Sequence, residues 1–117
     1  MADEFALTGR PVRVTGTGVQ PLEYALDVSD YDEMDAQLLV LGLDGATPSV
    51  TVRLLTSMCN KNENGWEVVG TYSAKTTANA WQTINVKGFL KYVRWEVSAF
   101  AGNAATFAIR GMLREWS

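Results

Sequence analysis

Large apolar residues in this chain recur at every second position and almost never at the three-and-four spacing of a helix, which points to half-buried β-strands. In "PLEYALDVS", Leu22, Tyr24, Leu26 and Val28 share one face, opposed by Glu23, Ala25 and Asp27. In "SVTVRLLTSM", Val50, Val52, Leu54, Thr56 and Met58 lie opposite Thr51, Arg53, Leu55 and Ser57. "AQLLVLGLDG" is apolar on both faces, which predicts a strand covered on both sides. With "PVRV", "WEVVGTYS", "WQTINV", "LKYVRWEVSAF" and "TFAIRGMLREW" added, the chain reads as about eight strands at the short spacing of an antiparallel sandwich.

The breaks between strands have identifiable chemistry. "LDGATPS" carries Asp44-Gly45 and Pro48, which suit a turn and not a central ladder. "NKNENG" ends in Asn64-Gly65 and predicts a hairpin loop. "SAKTTANA" reads as a loop, and "AGNA" as the tip of a final hairpin. In that hairpin Val93, Trp95, Val97 and Ala99 face inward, while Tyr92, Arg94, Glu96, Ser98 and Phe100 face solvent. Phe107, Ile109, Gly111 and Leu113 form the inward set of the following strand. One register that keeps this parity places Glu96 across from Arg110 and the Trp95 ring over Gly111. Residues 1–20 contain three glycines and few large apolar groups, so they read as an extended N-terminal arm, and residues 21–117 as the sandwich.

Composition narrows the function classes. One domain is expected from 117 residues, with 47% apolar and 20% charged residues. The acidic start "MADEF" has no apolar signal core, and no segment is long and apolar enough for a membrane helix. Cys59 is the only cysteine, so no internal disulfide is expected and a reducing cytoplasm is the simplest site of synthesis. Histidine is absent, which removes Ser-His and Cys-His nucleophilic pairs and the commonest zinc ligand. No phosphate-binding glycine loop is present. A carboxylate-pair glycosidase stays open, but the expectation is a non-enzyme without cofactor. Residues 1–50 carry −7 and residues 51–117 carry +4, an asymmetry that favours complementary neighbours over nucleic acid.

Two local features invite a ligand. "LDVSDYDEMDAQ" gathers Asp27, Asp30, Asp32 and Asp35, oxygen donors of the kind that hold Ca²⁺. Its spacing is not that of an EF-hand and it lacks the central glycine, so the residues favour a solvated acidic loop, with calcium as the alternative. Of four tryptophans, Trp95 and one of Trp66 and Trp81 are expected in the core. Trp116, beside the C-terminus, is an interface candidate.

Residues 36–116 resemble the small jelly-roll proteins of tailed-phage structural cassettes. The resemblance lies in "DGATPSVTVRLLTSM", the polar loop into "NGWEVVGTYS", the run "WQTINVKGFLKYVRWEV" and the closing "AGNAATFAIRGML". It implies a head decoration, or cement, protein that binds the outside of an assembled capsid, commonly as a symmetric oligomer, with a trimer favoured. The partners implied are the major capsid protein lattice and further copies of the chain, and the location is the virion capsid surface. Residues 5–14, with Phe5, Arg10 and Arg13, are the first expected contact with that lattice or an adjacent copy, and Arg114 with Trp116 the second. "KYVRWEV" also resembles a strand of discoidin-like carbohydrate-binding modules, and a phage tail or baseplate component is a third possibility.

Overall fold

The computed structural model describes residues 2–115. Among these residues ten strands occupy two antiparallel sheets: β1 (Ala2–Ala6), β2 (Val12–Val14), β3 (Gly18–Val19), β4 (Leu26–Asp27), β5 (Glu33–Asp44), β6 (Ser49–Ser57), β7 (Glu67–Thr71), β8 (Ala80–Lys87), β9 (Tyr92–Ala101) and β10 (Ala104–Arg114). The first sheet runs β1-β10-β5-β8, with β2 continuing the β1 edge; the second runs β3-β9-β6-β7, with β4 continuing the β3 edge. Counting each split edge as one position, the strands fall in the order of an eight-position jelly roll. The segment expected as an arm is extended, and it supplies edges to both sheets: β1 and β2 pair with β10, and β3 pairs with β9. Leu7 and Gln20 within it are buried.

Alternation fixes the core. Met34, Ala36, Leu38 and Val40 of β5, with Phe107, Ile109 and Leu113 of β10, face Val50, Val52 and Leu54 of β6 and Val93, Trp95 and Val97 of β9. Trp95 and Phe107 meet edge to face across the two sheets, with centroids 5.1 Å apart. Tyr72 is fully inside and donates its hydroxyl hydrogen to the Ala36 carbonyl at 2.9 Å. Burial pushes that hydroxyl above its ordinary value of 10.0. An unfolded chain therefore loses this proton first as pH rises, so folded stability is retained below about 10 and declines above it, by at most about 1.4 kcal/mol per pH unit. Denaturant midpoints from pH 8 to 11 should show this decline, and Tyr72→Phe should flatten it. Tyr31, also raised by its hydroxyl bond to Asp3, remains in both proteins as a constant background.

Several sequence expectations are corrected. The "AGNA" turn is no hairpin tip: β9 and β10 lie in different sheets, and Gly102-Asn103 is a corner between them. It packs against the other corner, from β5 to β6. Asn103 N–H donates to the Asp44 carbonyl at 2.8 Å, and a Cβ on Gly45 would stand 2.8 Å from the Gly102 Cα. Both glycines have positive φ, so two sharp corners stack where side chains would collide. Glu96 consequently pairs with Arg53 of β6, its register partner, and not with Arg110. Gly111 is covered by a ring, as the parity requires, but the ring is Phe5 from β1 and not Trp95.

Ser98 is an extra residue in β9, because Thr51 pairs with Ala99 and Val52 with Val97. This bulge reverses the face of everything after it, so Phe100 packs on the core and Ala99 is exposed. "PLEYALDVS" is not one strand. A single 3-10 turn over Leu22–Tyr24 leaves Tyr24 exposed before the two-residue β4. Met58 lies beyond the end of β6 and is exposed.

The largest departure is Arg94, expected on the solvent face and 2% exposed. The loop joining β6 to β7 folds over the outer side of the second sheet and covers it. Arg94 donates to both carboxylate oxygens of Glu63 at 3.2 and 3.1 Å and to the Gln20 carbonyl at 3.0 Å. Trp66 stacks on its guanidinium at 4.3 Å, and Leu55, its neighbour in register, is buried beside it. Trp66 is thus half-buried above this arginine and is not part of the central core.

Candidate functional site

Opposite residues on paired strands share a face, so the outer surface of the first sheet can be read row by row. One row is Trp81, Leu39 and Ala108, from β8, β5 and β10. Leu41 is the extra residue of a bulge in β5, because Phe107 pairs with Val40 and Thr106 with Gly42. Trp81 is 67% exposed and Leu41 41%, so the patch is apolar and open. The apolar strand expected to be covered on both sides is covered by this chain on one side alone. Its other side carries the candidate surface.

Charge frames this patch asymmetrically. The row on one side holds Arg13 of β2, Thr106 and Gly42. The row on the other holds Ala6, Arg110, Gln37 and Thr83. Arg13 and Arg110 are exposed, and their side chains have no ion-pair or hydrogen-bond partner among the described residues. Beyond that row Arg114 pairs with Asp35 and Glu33, and Asn85 donates to the same two carboxylates at 2.8 and 2.7 Å, while at the opposite end the exposed Asp44 closes β5 past the Arg13 row. The far end of the sheet is therefore charge-balanced, while the apolar end presents an exposed tryptophan on the β8 edge and, across the sheet, two unpaired arginines on β10 and β2. Tryptophan and arginine are among the residues enriched at protein interfaces and their hot spots.

The structure distributes the sequence-predicted residues as follows. Arg13 borders the patch. Arg10 lies instead at the rim of a cleft on the sandwich edge, and Phe5 is half-buried over Gly111. Arg114 is engaged by Asp35 and Glu33, and Trp116 lies outside the described residues. Of the four acids of the calcium alternative, Asp27 ends β4 in the second sheet, whereas Asp35 lies on β5 in the first. Ser29 donates its hydroxyl and backbone N–H to Asp27 at 2.7 and 3.0 Å, which holds that carboxyl below its ordinary value. Among the described residues, no three acidic or cysteine side chains are close enough to hold a metal ion.

Sequence reasoning missed Trp81, Leu39, Leu41 and Arg110. The available signal was "LLVLGL" itself, whose double-sided apolarity reads the same whether the second face is covered within the chain or left for a partner.

No protein-family model matches the chain, and no curated protein sequence does. Similar folds do exist among solved structures. The SPBc2 prophage-derived protein YomS superposes with a TM-score of 0.50 at 15% identity, over 97% of this chain and 92% of its own. A protein of Bacillus endospore appendages, described as disulfide-linked pili, gives 0.49 at 16% identity, over 99% of this chain and 88% of its own. At 15% identity the likeness to YomS establishes a shared fold.

Proposed function

We propose that this chain is a structural, non-enzymatic component of a phage-like particle, and that the Trp81 face docks it onto the assembled coat lattice. The observation that carries this reading is the open apolar patch of Trp81, Leu39, Leu41 and Ala108, flanked by the unpaired Arg13 and Arg110. The jelly-roll fold shared with a prophage-derived protein is in keeping with it.

The mechanism is linkage. A surface that forms its contacts only on the assembled lattice shifts the equilibrium toward the intact shell. A stable contact of this kind buries on the order of 1,200–2,000 Å². The apolar patch contributes the desolvation, and Arg13 and Arg110 select a partner surface carrying carboxylates, so binding weakens as salt rises.

The test is co-sedimentation with empty tailed-phage capsid particles. The parent chain is expected to pellet with particles and raise their melting temperature. Trp81→Ala should weaken binding by about 2 kcal/mol, or roughly 30-fold, with the chain's own stability unchanged because the ring is exposed. A parent chain that stays in the supernatant, or a Trp81→Ala variant that binds as well as the parent, would sink this assignment.

A further inference from the structure

A second feature lies at the β1–β2 edge of the sandwich, away from Trp81, and is independent of the docking reading. Where the chain crosses from β1 to β2 on one sheet and enters the 3-10 turn beside the other, it leaves a cleft of about 780 Å³. Leu7, Arg10, Val12, Gln20, Tyr24 and Trp95 are among its lining residues. That volume is within the range of small-ligand sites, and apolar walls with a few polar groups are their usual lining.

Trp95 is 6% exposed, and its indole N–H is buried with no acceptor among the described residues. The neighbouring amide cannot turn to meet it. Gln20 accepts the Trp95 backbone N–H at 3.3 Å through its side-chain oxygen and donates its side-chain nitrogen to the Leu7 carbonyl at 2.9 Å. Phe107 holds the indole ring edge to face from the other side. A buried donor without a partner is costly and rare, and because Trp95 lines the cleft its indole signal reports on whatever enters.

The rest of the lining defines the ligand the cleft suits. Arg10 is its only charged residue and has no ion-pair partner among the described residues. No carboxylate of the described residues lines the cleft, so an anion is favoured. Tyr24 leaves most of its ring free for stacking. An extended peptide is disfavoured, because the backbone N–H groups of Leu7, Arg10, Gln20 and Tyr24 are already spent on Ile109, Thr8, Trp95 and Pro21, which removes the edge that strand addition needs.

We propose that this cleft binds an acidic saccharide. The carboxylate of the sugar pairs with Arg10, its C–H face lies on Tyr24, and the wall that includes Trp95 closes the floor of the cleft.

Indole signals in nitrogen-proton NMR of the full chain test this directly, with Trp95→Phe identifying the Trp95 signal. The probes are a galacturonic acid trisaccharide, a sialyl trisaccharide, a neutral trisaccharide and a glutamate-rich peptide. A saturable shift of the Trp95 signal with at least one acidic trisaccharide is expected, and the neutral sugar should bind at least about tenfold more weakly. Arg10→Gln should weaken the acidic sugar by a similar factor without changing thermal stability or co-sedimentation with particles. Silence of the Trp95 signal with both acidic sugars overturns the proposal. So does a shift that survives Arg10→Gln unchanged, or a peptide that binds more tightly than either sugar. None of these outcomes depends on Trp81, so the two readings fail separately.

Discussion

Arg94→Ala is expected to destabilise the folded chain by about 3 kcal/mol and to free the loop of residues 60–66 for proteolysis. Three losses combine. The guanidinium stacked on Trp66 is largely desolvated, where such contacts reach about 2 kcal/mol. The Gln20 carbonyl loses its side-chain donor, and the two-pronged contact to Glu63 disappears with the loop anchor. Glu63 is itself mostly exposed, so its carboxylate returns to water at little cost and the ion pair alone contributes only about 1 kcal/mol or less. Removing the acid and keeping the base is the informative contrast. Glu63→Gln leaves a buried guanidinium beside a neutral partner, with the unpaired Arg94 Nε already uncompensated, and should cost about 1–2 kcal/mol. Urea midpoints of the two single variants and the double variant give the coupling. An Arg94→Ala loss below about 1 kcal/mol, with the loop still protected from protease, would show that the loop is held by something else.

That residue also shows where sequence reading stops. Period-two alternation correctly selected Val93, Trp95 and Val97, and Phe107, Ile109 and Leu113, because burial on one face is a local and repeated constraint. The same alternation assigned Arg94 to the other face, and it does lie there. What covers it is a loop some thirty residues earlier, and no local pattern reports such a lid. Phe100 was misplaced for a different reason. One extra residue, Ser98, reverses parity, and serine in a strand gives no sign that it is unpaired.

Strand pairing was the least legible level. Gly102-Asn103 suits a hairpin and a corner between sheets equally well, because both need a short turn with positive φ at glycine. The corner is favoured by a partner far away in sequence, the stacked turn at Gly45. The candidate surface was hidden similarly. An outward Leu39 is apolar whether its cover is a helix of the same chain or a neighbouring subunit, so the open face emerges only once every strand has been placed.

Gly111→Ala should cost about 3 kcal/mol or more, whereas Gly70→Ala should cost about 1 kcal/mol, though both glycines sit in strands with crowded surroundings. The difference lies in what gives way. A Cβ on Gly70 would stand 2.8 Å from Ile84 Cδ1 and 3.2 Å from Val86 Cγ2, and the first of these is the end of a side chain that can rotate aside. A Cβ on Gly111 would run into the backbone carbonyl of Asp35 and approach Phe5 Cε1 at 3.0 Å. Gly111 lies on β10 between β1 and β5, paired with Phe5 on one side and Ala36 on the other, so the carbonyl cannot retreat without displacing the ladder. The methyl would separate β1 from the sheet and uncover Phe5, adding the loss of a half-buried ring to the steric cost. Thermal denaturation of the two alanine variants, with amide exchange across β1 and β10, separates these terms. Faster exchange confined to β1 with a large drop in melting temperature for Gly111→Ala supports the argument, and equal effects of the two substitutions would refute it.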